Sequence, residues 1–191
     1  MRRIVLVIAL ALLLLILAGW VSTRPAWLID RRKVLPTGAG RQYARRSLSD
    51  IDQIVIHHSA TPADTSIESI ARYHIGPNHI CADGCPGIAY HFMIGPDGKT
   101  YQVNDLEAVS YHVSGANTRS VGICLLGNYE EYPPTDLQYR RVIGLIRYLE
   151  AKTGRLLDVI GHKEASGANT QCPGANVDLE LIRSEIYQNE A

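Results

Sequence analysis

Residues 51–58 read I-D-Q-I-V-I-H-H, and the way this octapeptide folds decides the rest of the chain. Its centre is β-branched, and Ser59, Thr61 and Pro62 follow it with turn-favouring chemistry, so the stretch predicts a short buried strand. Alternation along a strand puts His57 on one face with Val55, and His58 on the other with Ile54 and Ile56. Which histidine faces a cleft stays open at this point. For either one taken alone, a buried, hydrogen-bonded structural role stands ahead of ligation.

Working outward, residues 67–75 carry apolar positions at helical spacing. Residues 88–94 and 99–103 are two alternating runs joined by G-P-D-G, which predicts a hairpin because Pro96 and Gly98 supply turn geometry. Val121 to Leu126 is another apolar strand. Thr135-Asp-Leu-Gln138 has the form of a capping box, and Tyr139, Val142, Ile143, Ile146 and Leu149 share one helical face until Gly154 stops it. Val159-Ile160 is short and extended, and Asp178 is placed to cap a final helix running to about residue 188. The order β-α-β-β-β-α-β-α implies an α/β fold, a single domain over residues 51–191 with a central mixed β-sheet flanked by helices.

Upstream, Ile4 to Val21 is an uncharged apolar run, long enough at about 1.5 Å per residue to reach across most of a bilayer core. Residues 1–22 are therefore expected to be a transmembrane anchor or uncleaved signal. Ala18-Gly19-Trp20 is a poor cleavage site, and Trp20 and Trp27 lie just past the run, where amphipathic rings favour the membrane interface. Residues 23–50, basic and broken by Pro25, Pro36 and Gly38-Ala39-Gly40, read as a solvated linker that can also lie on anionic lipid.

The net charge of zero hides an asymmetry: residues up to 50 hold nine Arg/Lys against two Asp, and the remainder ten against 17 Asp/Glu. An acidic domain argues against a nucleic-acid partner, which would call for Lys/Arg clusters. Basic residues flank the apolar run on both sides, so charge counting leaves its orientation open. Cys81 and Cys85 are close enough in sequence to form a small disulfide in an exported domain.

Chemistry concentrates in V-I-G-H-K-E-A-S-G-A-N-T-Q-C-P, residues 159–173. His162 and Cys172 are spaced too far apart for a structural zinc finger, but imidazole plus thiolate suits a catalytic zinc that keeps three protein ligands and one open position. A strand-end histidine such as His57 is a natural third ligand. The competing chemistry is a cysteine hydrolase using Cys172 or Cys124. Against it, Cys124 lies in the apolar run V-G-I-C-L-L, and Cys172 precedes Pro-Gly instead of opening a helix that would lower its pKa.

Four segments carry a specific resemblance: I-V-I-H-H-S-A-T (54–61), G-I-A-Y-H-F-M-I-G-P-D-G (87–98), N-T-R-S-V-G-I-C-L-L-G-N (117–128), and G-H-K-E followed by C-P-G (161–174). In this order they resemble the zinc-dependent N-acetylmuramoyl-L-alanine amidases, a family that includes phage endolysin amidases and peptidoglycan recognition proteins. The resemblance implies that His57, His162 and Cys172 hold Zn2+ and that Tyr90 faces the metal. His91, His112, Asn117 and Ser120 match groove or scaffold positions, and His91, His112 and Asn117 are expected to bind substrate. His58 falls where the family varies and is expected in the core or behind the ligands. Glu164 is expected to be a solvated loop carboxylate.

Many members carry lysine two residues before the last ligand, where this chain has Thr170; active members of the recognition-protein branch have threonine there. The implied reaction is metal-assisted hydrolysis of the amide joining N-acetylmuramic acid to L-alanine in peptidoglycan or muropeptides, with Tyr90 and Thr170 donating to the developing oxyanion. The second function class is a non-catalytic peptidoglycan-binding module using the same groove. Because intact peptidoglycan lies outside the cytoplasmic membrane, the expected location is a single-pass tether with the domain on the extracytoplasmic side.

Overall fold

The computed structural model of the chain describes residues 24–187. In chain order the strands are β1 (Leu28–Asp30), β2 (Gln53–His58), β3 (Phe92–Ile94), β4 (Thr100–Gln102), β5 (Ser120–Leu125) and β6 (Asp158–Gly161). Three helices accompany them: α1 (Ile67–Ile75), α2 (Asp136–Thr153) and α3 (Leu179–Tyr187). All six strands form one mixed sheet in the order β1-β4-β3-β5-β2-β6. Only the β3-β4 hairpin is antiparallel. The expected single α/β domain is therefore present, and β2 lies inside the sheet with every residue buried.

The two faces bury different sets of side chains. Ile54 and Ile56 of β2, Val121, Ile123 and Leu125 of β5, and Phe92 and Ile94 of β3 pack with Val142, Leu145, Ile146 and Leu149 of α2 and Ile182 and Ile186 of α3. On the opposite face, Met93 and Cys124 pack with Ile67, Ile70 and Ala71 of α1. His57, alternating with Ile56, therefore projects away from the α2-α3 layer.

Local signals hold where they were read. Thr135 Oγ1 accepts from the Gln138 N–H at 3.2 Å and Gln138 Oε1 accepts from the Thr135 N–H at 3.1 Å, completing the capping box of α2. Gly154 ends the helix in the left-handed region at φ 71°, where a Cβ would be strained. Asp178 caps α3, its Oδ1 accepting from the Leu181 N–H at 2.8 Å. Gln138 is fully buried and donates to the carbonyls of Ile94 and Leu126, tying α2 to the ends of β3 and β5.

The basic segment before residue 51 needs correction. Within residues 24–50, β1 pairs in parallel with β4 as the sheet edge, Leu28 is 2% exposed, and Ser47 caps a short 3-10 turn at Leu48–Asp50. Trp27, expected at a membrane interface, packs against the core with the Arg141 guanidinium 5.1 Å from its ring centre. Several of its charges are paired with acidic residues. Arg32 pairs with Asp30 at 2.6 Å and Asp105 at 2.7 Å, Arg45 with Asp105 at 3.2 Å, and Arg31 with Glu68. Part of the split between a basic start and an acidic remainder is thus complementarity across an internal contact. The expected membrane segment, residues 1–22, lies outside the described residues, among which no helix is long and apolar enough to cross a membrane.

Candidate metal centre

Strand register builds the site. β2 and β6 run parallel with Ile56 opposite Gly161, so the residues that follow this pair, His57 and His162, emerge at the same sheet end. Their ring centroids are 4.7 Å apart. The 3-10 turn at His162–Glu164 then carries the chain away, and the Lys163 N–H donates to the Cys172 carbonyl at 2.7 Å. That bond brings the returning loop against the histidines, with Cys172 Sγ 3.6 Å from His57 Nδ1. One donor atom from each of His57, His162 and Cys172 lies within 4.8 Å of the others, so the three side chains form a group that could hold a metal ion.

Electrostatics favour neutral groups until a cation arrives. Burial, joined by the neighbouring His112 and His162, pushes His57 well below its usual range, so its ring stays neutral and a nitrogen lone pair is available for ligation. Burial also pushes the Cys172 thiol up to about 12. A Cys172–His57 thiolate–imidazolium pair is disfavoured on both sides, which weighs against the cysteine-hydrolase alternative. Cys124 is fully buried and its thiol is also raised well above the ordinary value by desolvation.

The three ligand candidates open into a cleft of about 620 Å³ that is also lined by Tyr90, Tyr111, His112, Asn117 and Thr170. Tyr90 lies beside the ligands, its ring centroid 5.2 Å from that of His57; burial, joined by the neighbouring Cys124 and Cys172, raises its hydroxyl pKa well above 10 and keeps the proton on. Thr170 Oγ1 accepts from the Cys172 N–H at 3.1 Å, which leaves the hydroxyl proton available to the cleft. Next to this cleft, and sharing Ser59, Ala60, His79, Ile80 and Tyr90 with it, a lobe of about 440 Å³ extends along α1.

Not every expected substrate contact is available to a substrate. His91 has no exposed surface: its Nδ1 accepts from the Gly122 N–H at 3.0 Å and its Nε2 lies 2.9 Å from the Ala108 carbonyl. It is a scaffold residue behind β5, which corrects its expected place among the substrate-binding groups. Asn117 lines the cleft, but its Oδ1 accepts from the N–H groups of His112 and Val113 at 3.0 and 2.8 Å, so that oxygen shapes the loop. His58 accepts from the Tyr129 N–H at 3.1 Å through Nδ1. Glu164, expected as a solvated carboxylate, accepts from the Gly161 N–H at 2.7 Å and pairs with Arg183, fixing the turn that carries His162. Cys81 and Cys85 form a disulfide in the segment that contributes His79 and Ile80 to the cleft wall.

Sequence patterning gave no sign of Arg46, which is 7% exposed behind the site. It donates to the backbone carbonyls of Leu106, Asn117, Thr118 and Ser120 at 2.6 to 2.9 Å. Its Nη2 also lies 2.9 Å from His91 Nε2; these partners are remote in sequence and invisible to local sequence patterning.

Two imidazoles and a thiol converging at the end of a parallel strand pair, in an open cleft of an α/β sheet, define a metal-competent hydrolase-type centre. Over residues 47–175 the chain matches the sequence model described as N-acetylmuramoyl-L-alanine amidase, and it belongs to that family. The endolysin of Enterobacteria phage K11 is 34% identical over 156 residues, 78% of this chain and 96% of that protein. Peptidoglycan-recognition protein SC2 of Drosophila simulans is 29% identical over 143 residues, 70% of this chain and 73% of that one. Among solved structures, the endolysin amidase LysCS from Clostridium intestinale superposes with a TM-score of 0.71 at 31% identity, covering 86% of this chain and 97% of its own.

Proposed function

We infer that the chain is a zinc-dependent amidase that hydrolyses the bond between N-acetylmuramic acid and L-alanine in peptidoglycan or its muropeptide fragments. The observation that carries this is the convergence of His57, His162 and Cys172 in a cleft that Tyr90 also lines. Two imidazoles and one thiolate suit zinc better than the hard cations that prefer oxygen. The 3.6 Å from Cys172 Sγ to His57 Nδ1 also fits: bond lengths put neighbouring donors on a tetrahedral zinc roughly 3.3–3.8 Å apart. When bound, zinc supplies Lewis acidity toward the amide carbonyl and activates the attacking water.

The chain's own groups do the rest. Tyr90, protonated throughout the working pH range, donates to the carbonyl oxygen as charge develops there. Thr170 adds a neutral donor where a lysine would add a charge, so stabilisation on that side depends on hydrogen-bond geometry alone. The adjoining lobe along α1, about 440 Å³ in volume, has room for part of a glycan or stem peptide. Full-length chain incubated with purified sacculi should release free stem peptides, identified by mass, and the products should disappear with a chelator and return with zinc. Release that continues at full rate in chelator would overturn the zinc assignment, and zinc loading without any product would favour a binding module.

We further propose that residues 1–22 tether the domain to the cytoplasmic membrane on its extracytoplasmic side. Two considerations support this: the proposed substrate lies there, and the Cys81–Cys85 disulfide suits an oxidising compartment. A reporter fused at the C-terminus that is active only in the cytoplasm would overturn this topology.

A further inference from the structure

His57 has two ring nitrogens, and one is engaged by a residue outside the ligand set. His57 Nε2 lies 3.1 Å from His112 Nδ1. His112 is 5% exposed and lies over Gly122, where a Cβ would come within 2.6 Å of its ring. Its other nitrogen, Nε2, is 3.4 Å from both the carbonyl and the hydroxyl oxygen of Ser120. That hydroxyl donates its own proton to the Ala116 carbonyl at 2.8 Å, so both Ser120 oxygens face His112 as acceptors.

The tautomers follow from this geometry. Facing two acceptors, His112 Nε2 carries the hydrogen, and a neutral imidazole has only one. His112 Nδ1 is therefore a lone pair, and His57 Nε2 must donate to it. His57 Nδ1 then presents its lone pair on the side where Cys172 Sγ lies. One step further back, Arg46 Nη1 donates to the Ser120 carbonyl at 2.6 Å, which fixes the acceptor that orients His112. Arg46 lies just before the first residue matched by the family model, in the segment that composition alone would have assigned to a linker.

We propose that His112 is a positioning residue for the metal ligand His57, holding it in the Nε2–H tautomer and fixing its ring plane, and that Arg46 anchors this support through the Ser120 carbonyl. This rests on the metal assignment above. Ligating histidines commonly donate their second N–H to an acceptor that sets tautomer and basicity; here a second histidine serves, backed by a buried arginine.

Zinc affinity of the full chain, measured by chelator competition well below the unfolding temperature, tests this apart from turnover. Wild-type chain that binds no zinc sinks the metal assignment itself. Given wild-type binding, His112→Ala and His112→Phe, which lack an acceptor, should weaken zinc by about ten- to a hundredfold and shift the visible spectrum of the cobalt-substituted protein. His112→Asn, whose Oδ1 falls near the position of Nδ1, should stay within about threefold of wild type. Arg46→Met should weaken zinc by a smaller factor, and combining it with His112→Ala should add little.

Alanine and asparagine variants that both bind zinc like wild type overturn the proposal, as do equal losses in both. Additive losses from Arg46 and His112 overturn the Arg46 part. If His112→Phe does not fold, the alanine–asparagine comparison decides alone.

Discussion

His57 and His162 lie with ring centroids 4.7 Å apart because parallel pairing of β2 and β6 sets Ile56 opposite Gly161, one residue before each histidine. The relationship depends on a glycine. A Cβ on Gly161 would fall 2.7 Å from Leu179 Cδ1 and 2.9 Å from Pro173 Cδ, closer than packed atoms approach. Strand register and this close approach together bring the returning Cys172 loop into reach of both imidazoles.

Removing a ligand should therefore cost more than disturbing its support. Cys172→Ser or His162→Ala should lower amidase activity by more than about a hundredfold, exceeding the range for outer-shell changes. Metal analysis of the purified variants alongside the rate of peptide release checks this; a Cys172→Ser variant with wild-type zinc content and rate would contradict the ligand set.

Tyr90→Phe separates chemistry from metal binding. In the proposed mechanism the phenol is offered to the substrate carbonyl and not to the ion, so its loss should lower kcat by about a hundred- to a thousandfold, as for other oxyanion donors. Zinc content and KM should change little. A variant that loses zinc instead would make Tyr90 a structural neighbour of His57.

The N-terminal segment should behave as part of the domain. Leu28 is 2% exposed within the main core, and Leu28→Ala should cost about 2–3 kcal/mol of unfolding free energy. Urea unfolding of the two proteins measures it. An unchanged midpoint would restore the linker description.

Acid should destabilise the metal-free fold through buried histidines. Desolvation lowers His74 from 6.5 to about 4, and its Nδ1 accepts from the Ala89 N–H at 3.2 Å, which protonation would break. Below about 6.5 the unfolded chain binds a proton that the folded chain refuses, so stability falls as pH drops. The contribution is fully present above about 6.5 and is lost progressively as pH falls toward 4, at a few kcal/mol for such a shift. Thermal midpoints of chelated protein from pH 8 to 4.5 should decline over that window; a flat profile would contradict neutral burial.

What could be read from sequence was whatever a local pattern encodes. The β-branched run at Ile54–Ile56, the G-P-D-G turn and the Thr135–Gln138 box each place their signal within a few residues, and each is found in the fold. The pairing of His57 with His162 and Cys172 came from motif resemblance, because alternation could not choose between His57 and His58. Packing of α2 and α3 against the Ile54–Ile56 face makes that choice. Residues 24–46 resemble a linker locally because their partners Asp105 and Glu68, and the strand β4 that β1 joins, are distant in sequence. His91 and His112 differ in role for the same reason: His91 is sealed behind β5 and His112 reaches the cleft, a distinction made by loop packing.

The proposed centre holds one zinc through two nitrogens and one sulfur of this chain. X-ray absorption at the zinc edge, on full-length protein stripped and reloaded to one equivalent, tests it most directly. Such a centre should show one sulfur near about 2.3 Å and two imidazole nitrogens near about 2.0 Å, with the sulfur lost in Cys172→Ser. A sulfur-free shell in the wild type, or failure to take up one equivalent, would contradict it.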